Sequence, residues 1–337
     1  MKKKIAEKSK RLLSLDCFRG ITIFFMILVN NGAGMIYSKF GHASWNGWTL
    51  ADTVAPFFLW IIGMSMVFSF NKRLKSGEDK KLLFMHALKR AAILFVVGLF
   101  LNLFPYFNFA TMRITGTLQR IAVCYLIASI IVLYSKERWQ AIWTVIFLAA
   151  YWAILIFVPV PGYGTGILAQ EGNIVQYVDN LILGPHMKQP FDAGGILSTI
   201  PAIASVLFGA LIGNFLIKKM REIKKIRYML IGSIILIISG YIMNIWMPIN
   251  KNLWTSSFTV LMAGLALISF SALYLIIDVK GYKKWTKPFI IFGMNAIILY
   301  SFGIMLSHIL DAIKINGVSI SYAVQTNMYS LILPSLD

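Results

Sequence analysis

Apolar stretches of about 20 residues, the length a helix needs to cross a bilayer, recur from one end of this chain to the other. No other feature limits the fold as severely. Backbone polar groups in hydrocarbon must be satisfied internally, which leaves helices or closed barrels. A barrel would be written as short alternating strands, and none is evident. Of the 337 residues 58% are hydrophobic and only 13% charged, about half the charge of a soluble domain. The expected fold is all-α, a polytopic membrane bundle of about ten helices. They are placed at 18–37, 50–71, 84–105, 116–135, 140–158, 194–217, 229–248, 256–278 and 288–311, with 318–334 as a tenth, short or partial element.

The connecting segments alternate in charge. The N-terminal segment 1–17 and the even-numbered loops hold clusters such as Lys72, Arg73, Lys75, Lys80 and Lys81, or Lys218, Lys219, Arg221, Lys224, Lys225 and Arg227. The odd-numbered loops hold one basic residue each: Lys39, Arg113, Lys188, Lys251 and Lys314. The positive-inside rule then places the N-terminus in the cytoplasm and the odd loops outside. It also explains the formal net charge of +19 without nucleic acid as a partner. The basic start leads into an apolar run too long for a signal peptide, so it reads as a retained first helix. Residues 18–337 then form one transmembrane domain, with its longest outer loop at 159–193. Cys17 and Cys124 lie in or beside apolar segments, which implies neither a disulfide framework nor a metal site. No internal repeat suggests the matched halves of many transporters.

Polar residues gather on the outer half. Asn30, in "VNNGAG", lies roughly 18 Å along the first helix at ~1.5 Å per residue. It reads as interhelical hydrogen bonding or as a functional amide. Asp52 opens the second helix, either as an anion at a helix N-terminus or as a site carboxylate. His42 precedes it in "GHASWNGWTLAD", with Trp45 and Asn46 between them. Trp45 and Trp48 suit an interfacial belt or a sugar platform. Arg120, just inside the fourth helix, calls for a partner, and Asp52 and Asp192 are on its side. His186 and Asp192 lie in the long outer loop, Asn252 in "NKNLWTSSF", and Asn295 within the ninth helix. This convergence predicts an outward-facing polar cavity, a transport vestibule or an active site.

The motifs "SLDCFRGITIFFMILVNNGAG", "HASWNGWTLADTVAPFFLWIIGMS", "GTLQRIAVCY", "VPVPGYGTG", "FDAGGILSTIP", "NKNLWTSSF", "DVKG" and "GMNAIILY" run in the order of the heparan-α-glucosaminide N-acetyltransferase family, which the chain resembles from about residue 11 to 303. The resemblance implies transfer of an acetyl group from cytosolic acetyl-CoA to an amino sugar across a membrane, with no metal. It carries the family histidine to His42, as general base or transient acetyl carrier, the asparagine to Asn30 and the aspartate to Asp52 as catalytic residues. Trp45, Asn46, His186, Asp192, Asn252, Trp254 and Asn295 are substrate-side candidates; the cofactor's ligands are not identified, with Arg19 and Arg120 as candidates and a structural or cavity role coming first for Arg120. Two departures stand out. The Asn30–His42 spacing is one residue longer than in animal members, and the last family helix is expected to be absent or truncated. The expected form is also one without the large luminal domain of the animal proteins. The implied protein is a short bacterial-type form in the plasma membrane, its site facing outward, with a glucosamine-type glycan acceptor, lipid around it and a homodimer as the suggested assembly. A sugar or amine transporter using His42 and Asp52 as a proton relay is the reading from another class. A polysaccharide O-acetyltransferase is the second enzyme reading.

Overall fold

The computed structural model describes residues 12–30, 41–315 and 317–332. The long helices are α1 (Leu13–Asn30), α2 (Leu50–Lys75), α3 (Lys80–Leu103), α4 (Thr117–Tyr134), α5 (Glu137–Phe157), α7 (Thr199–Ile217), α8 (Glu222–Met243) and α9 (Ser256–Leu273). A π-helical stretch, Tyr274–Val279, extends α9. A short helix, α6 (Ile174–Leu183), lies in the long loop between α5 and α7. It starts at Asn173, whose side chain accepts from the Gln176 amide at 2.9 Å and so caps an orphan donor. Then come α10 (Lys287–Met294), α11 (Ala296–Ala312), a two-residue hairpin of β1 (Lys314–Ile315) and β2 (Val318–Ser319), and α12 (Ile320–Ile332).

Among the described residues eight helices are long and apolar enough to cross a membrane, or nine if α10 and α11 count as one span. The expected ninth helix is broken. Its two parts meet at a bend of 72°, with Asn295 at the junction. The tenth element is a hairpin and a helix of 13 residues, which at ~1.5 Å per residue covers about 20 Å and falls short of the hydrocarbon core. The part of the first expected helix beyond Asn30 lies outside the described residues.

Small residues set the helix spacing, since lipid gives helices no hydrophobic reason to associate and close backbone contact does the work. A methyl group on Gly63 of α2 would stand 1.8 Å from the Val206 carbonyl oxygen of α7, and one on Gly209 of α7 would stand 1.8 Å from the Trp60 carbonyl oxygen of α2. Gly20 of α1 meets Phe289 of α10 in the same way, and Gly293 of α10 meets Asp16 of α1. Helices α2, α7 and α9 form the buried centre. Helices α5 and α8 present isoleucine and valine outward, including Val145, Ile146, Ile234, Ile235 and Ile238, as lipid-facing surfaces do. The even-numbered basic clusters collect at one end of the bundle, called here the basic end. His42 is at the other.

Candidate active site

Helix α2 begins after Thr49, and Asp52 stands at its third position. An acid there can reach back to the exposed amides of the first turn. Asp52 Oδ2 accepts from the Thr49 amide at 3.0 Å and the Ala43 amide at 3.1 Å. Its Oδ1 lies 2.7 Å from His42 Nδ1 and 3.1 Å from Lys251 Nζ. The carboxylate is thus buried with its oxygens in use, while the imidazole remains 48% exposed. An ionised carboxylate only accepts, so the proton between them belongs to Nδ1 and Nε2 is the accepting nitrogen of the ring. Lys251 Nζ lies 3.3 Å from that Nε2.

The two loops that bring these groups together are joined. Gly47 donates its amide to the Ile249 carbonyl at 2.7 Å, and Asn250 Nδ2 donates to Asn46 Oδ1 at 3.1 Å. Gly47 has φ 94°, a conformation that glycine adopts without steric cost. Asn250 is fully buried and accepts from the Leu253 amide at 2.8 Å, shaping the turn that leads into Trp254. Trp254 itself has φ 53°, which for a bulky residue marks a conformation imposed by its surroundings. Asn46 is therefore a loop tie. Trp45 points its indole N–H at the Leu168 carbonyl (2.9 Å) and its ring at the edge of Phe191, so it belongs to the small core beneath the long loop.

Arg120 does not pair with Asp52 or Asp192 as the sequence suggests. It is buried, donates to Ser198 Oγ and lies over the Trp254 ring, 4.7 Å from its centroid, a cation–π contact. Among the described residues its Nε has no hydrogen-bond partner. The carboxylates are claimed by cations that the sequence presents as sparse topogenic charges. Lys251 takes Asp52. Arg113 takes Asp192 through a two-pronged contact, Nε–Oδ2 at 2.7 Å and Nη2–Oδ1 at 2.5 Å. Asp192 also accepts from Thr115 Oγ1 at 2.5 Å and from the Lys188 and Gly194 amides. Burial would raise its pKa, but the Arg113 guanidinium and these donors hold it down to about 2. Asp192 is saturated and enclosed, so it organises the loop rather than meeting a ligand. His186 bonds through Nδ1 to the Met112 carbonyl at 2.9 Å and is not among the residues lining the His42 cavity.

Three cavities adjoin. The first, about 270 Å³, is lined by His42, Lys251, Asn252, Trp254, Asn30, Arg113 and Arg120 among others. The second, about 260 Å³, shares Asn30, Arg113, Gly116 and Thr117 with it and reaches Asn102, Ser307 and His308. The third is the largest, about 440 Å³, and extends toward the basic end past Arg19, Ser65, Ser69 and Arg90. It meets the first at Met26 and Ile121 and the second at Leu118 and Tyr300. Asn295, at the bend between α10 and α11, lines this third cavity, apart from His42. Arg19 lines it too, its Nη2 donating to Ser65 Oγ at 2.5 Å. Of the sequence-derived candidates the structure therefore groups Asn30, His42, Asp52, Asn252, Trp254 and Arg120, and separates Trp45, Asn46, His186, Asp192, Asn295 and Arg19. It adds Lys251 and Arg113.

The chemistry available is proton transfer at an oriented imidazole, beside an amide and two cations, in a cavity next to the one that reaches toward the basic end. Residues 11–247 match the family model described as heparan-alpha-glucosaminide N-acetyltransferase, catalytic. Heparan-alpha-glucosaminide N-acetyltransferase of Homo sapiens is 31% identical over 348 residues, covering 86% of this chain and 52% of that protein. Its Mus musculus counterpart is 29% identical over 350 residues, 87% and 53%. The chain thus spans about half the length of these curated relatives.

Proposed function

The chain belongs to the heparan-alpha-glucosaminide N-acetyltransferase family, and from that premise we propose that it is a membrane acetyltransferase carrying an acetyl group from cytosolic acetyl-CoA to the amine of a glucosamine-type sugar on the outer side. The observation that carries this reading is the His42–Asp52 pair at 2.7 Å, with His42 lining a cavity that adjoins, through Met26 and Ile121, the larger cavity toward the basic end. An acyl donor from one side and an acceptor from the other can then share one reaction space.

His42 Nε2 takes the proton that the attacking amine must lose, a role worth about 10²–10⁴-fold. Asp52 keeps Nδ1 protonated and stabilises the imidazolium. Asn30 lines the same cavity and is the amide donor for the oxyanion that forms on the thioester carbonyl. Arg19 and Arg90 line the opposite cavity with Ser65 and Ser69. Their charges suit the phosphates of the donor, and the apolar wall formed by Ile23, Phe58 and Leu94 suits its thin arm. With positive-inside orientation the basic end is cytoplasmic, and His42 faces outward.

The test is transfer from labelled acetyl-CoA to glucosamine by purified protein in detergent, beside His42→Ala. Label should appear on the sugar, and the variant should lose it by at least about 10²-fold. Acetyl-CoA that neither binds nor turns over, with glucosamine that still binds, would overturn the enzyme reading in favour of transport.

A further inference from the structure

The acceptor's amine has to approach His42 Nε2, and an amine of the chain is already there. Lys251 Nζ lies 3.3 Å from Nε2, 2.9 Å from Nδ1 and 3.1 Å from Asp52 Oδ1. The lysine side chain is 18% exposed and lines the same cavity as His42 and Asn30. Its loop is tied to the His42 loop through Asn250–Asn46 and Ile249–Gly47, so the contact is built into the fold. Burial pushes the lysine pKa down, Asp52 opposes this and the charge of Arg120 adds to it. A buried lysine with a depressed pKa is a nucleophile in the making.

We propose that Lys251 is an internal stand-in for the acceptor and is acetylated by the enzyme when no acceptor is bound. The proposal rests on the acetyltransferase reading given above. The Lys251 ammonium first releases a proton to solvent. The Nζ lone pair then attacks the thioester carbonyl, the N–C bond forms, and the C–S bond breaks with its electron pair leaving on sulfur. One of the two protons left on Nζ passes through His42 Nε2 to the thiolate, and the other stays as the amide N–H. The products are free CoA and an N-acetyl-lysine, with no redox change. The amide is stable, unlike an acetyl-imidazole, so it persists. It removes a cation from Asp52 and fills the place of the acceptor amine, so the modified chain is switched off. An amino sugar, bringing its own ammonium to Asp52 and His42, displaces Lys251 and protects it.

The experiment uses the full chain in detergent with labelled acetyl-CoA, with and without glucosamine, followed by hydroxylamine treatment, digestion and mass spectrometry. Wild type without sugar is expected to carry hydroxylamine-stable label on the peptide containing Lys251. Glucosamine should suppress that label. His42→Ala should slow it roughly 10²-fold or more, in line with the loss of positioned proton transfer. Lys251→Arg, which keeps the cation, should lack it. Transfer to glucosamine without stable label on Lys251 overturns the proposal and leaves the acetyltransferase reading standing. So does label spread evenly over lysines and indifferent to His42→Ala, which is spontaneous acylation. No transfer and no label on any residue overturns both.

Discussion

Asp52→Asn separates the two roles open to this carboxylate, because they differ by orders of magnitude. If Asp52 only caps α2, the substitution costs about 1 kcal/mol of stability and leaves the chemistry alone. The geometry predicts more. Asp52 receives His42 Nδ1 at 2.7 Å and Lys251 Nζ at 3.1 Å on the same oxygen, and it is itself fully buried. An amide offers no charge to either group and lets the imidazole settle in the other tautomer. In a protease triad the equivalent change lowers kcat by about 10⁴-fold, which is ~5.5 kcal/mol at 1.36 kcal/mol per tenfold. Removing one partner of a buried ion pair adds a stability loss of about 3–5 kcal/mol. The lower end applies here, because Lys251 keeps some solvent contact. We therefore expect folded Asp52→Asn protein with kcat/KM for acetyl transfer down by about 10³–10⁴-fold and thermal stability down by roughly 3 kcal/mol. The assay is steady-state transfer to glucosamine, paired with thermal unfolding in the same detergent. A variant that melts normally and keeps activity within a few-fold refutes the orienting role and leaves Asp52 as a helix cap.

Two further predictions concern the scaffold. Gly209→Ala puts a methyl 1.8 Å from the Trp60 carbonyl oxygen, so α2 and α7 have to separate. We expect about 3 kcal/mol of destabilisation, the upper end for overpacking, in detergent unfolding; a loss within about 0.5 kcal/mol, as at an unconstrained surface site, would contradict the close approach. Asp179 of α6 is fully buried, its Oδ2 has no hydrogen-bond partner among the described residues, and burial raises its pKa to about 6. Between the unfolded value of about 4 and that folded value the native state binds more protons, so stability falls as pH rises through this window. Asp179→Asn should flatten that slope and be the more stable form above about pH 6 in melts across the range; a slope unchanged by the substitution would remove Asp179 as its source.

How much could be read from the chain follows from how local each feature is. The spans are local: apolar length alone placed α2 to α5 and α7 to α9 to within several residues. His42 and Asp52 are ten positions apart, and Asp52 carries the signature of a helix start, so their pairing is nearly local too. Lys251 is 209 positions from His42 and Arg113 is 79 from Asp192. Each reads in sequence as the single basic residue of a sparse loop, which topology already explains, so no pattern singles it out. A signal was present nonetheless. Asp52 and Asp192 are carboxylates beside hydrocarbon and need cations, and each faces loops with only one to offer. Arg120 misled because it is the most conspicuous charge. Its partners are a hydroxyl, a carbonyl and an aromatic face, none of which formal charge can reveal. The break in the ninth helix was hidden because its residues are as apolar as those of an unbroken one.

That last point bears on how such a protein is made. The machinery that inserts a nascent chain weighs side chains, and from Lys287 to Ala312 it meets a segment with few charges that partitions into lipid at little cost. In the folded chain the bend at Asn295 interrupts the backbone ladder and brings the end of one half-helix and the start of the next against the third cavity. The Asn295 side chain donates to the Ile291 carbonyl at 3.0 Å, and this amide supplies polarity at the break that no ionised residue had to carry. The chain thus travels as hydrocarbon and becomes partly amide-like once inside, and mutational surveys scored on side-chain hydropathy will overlook the positions where this happens.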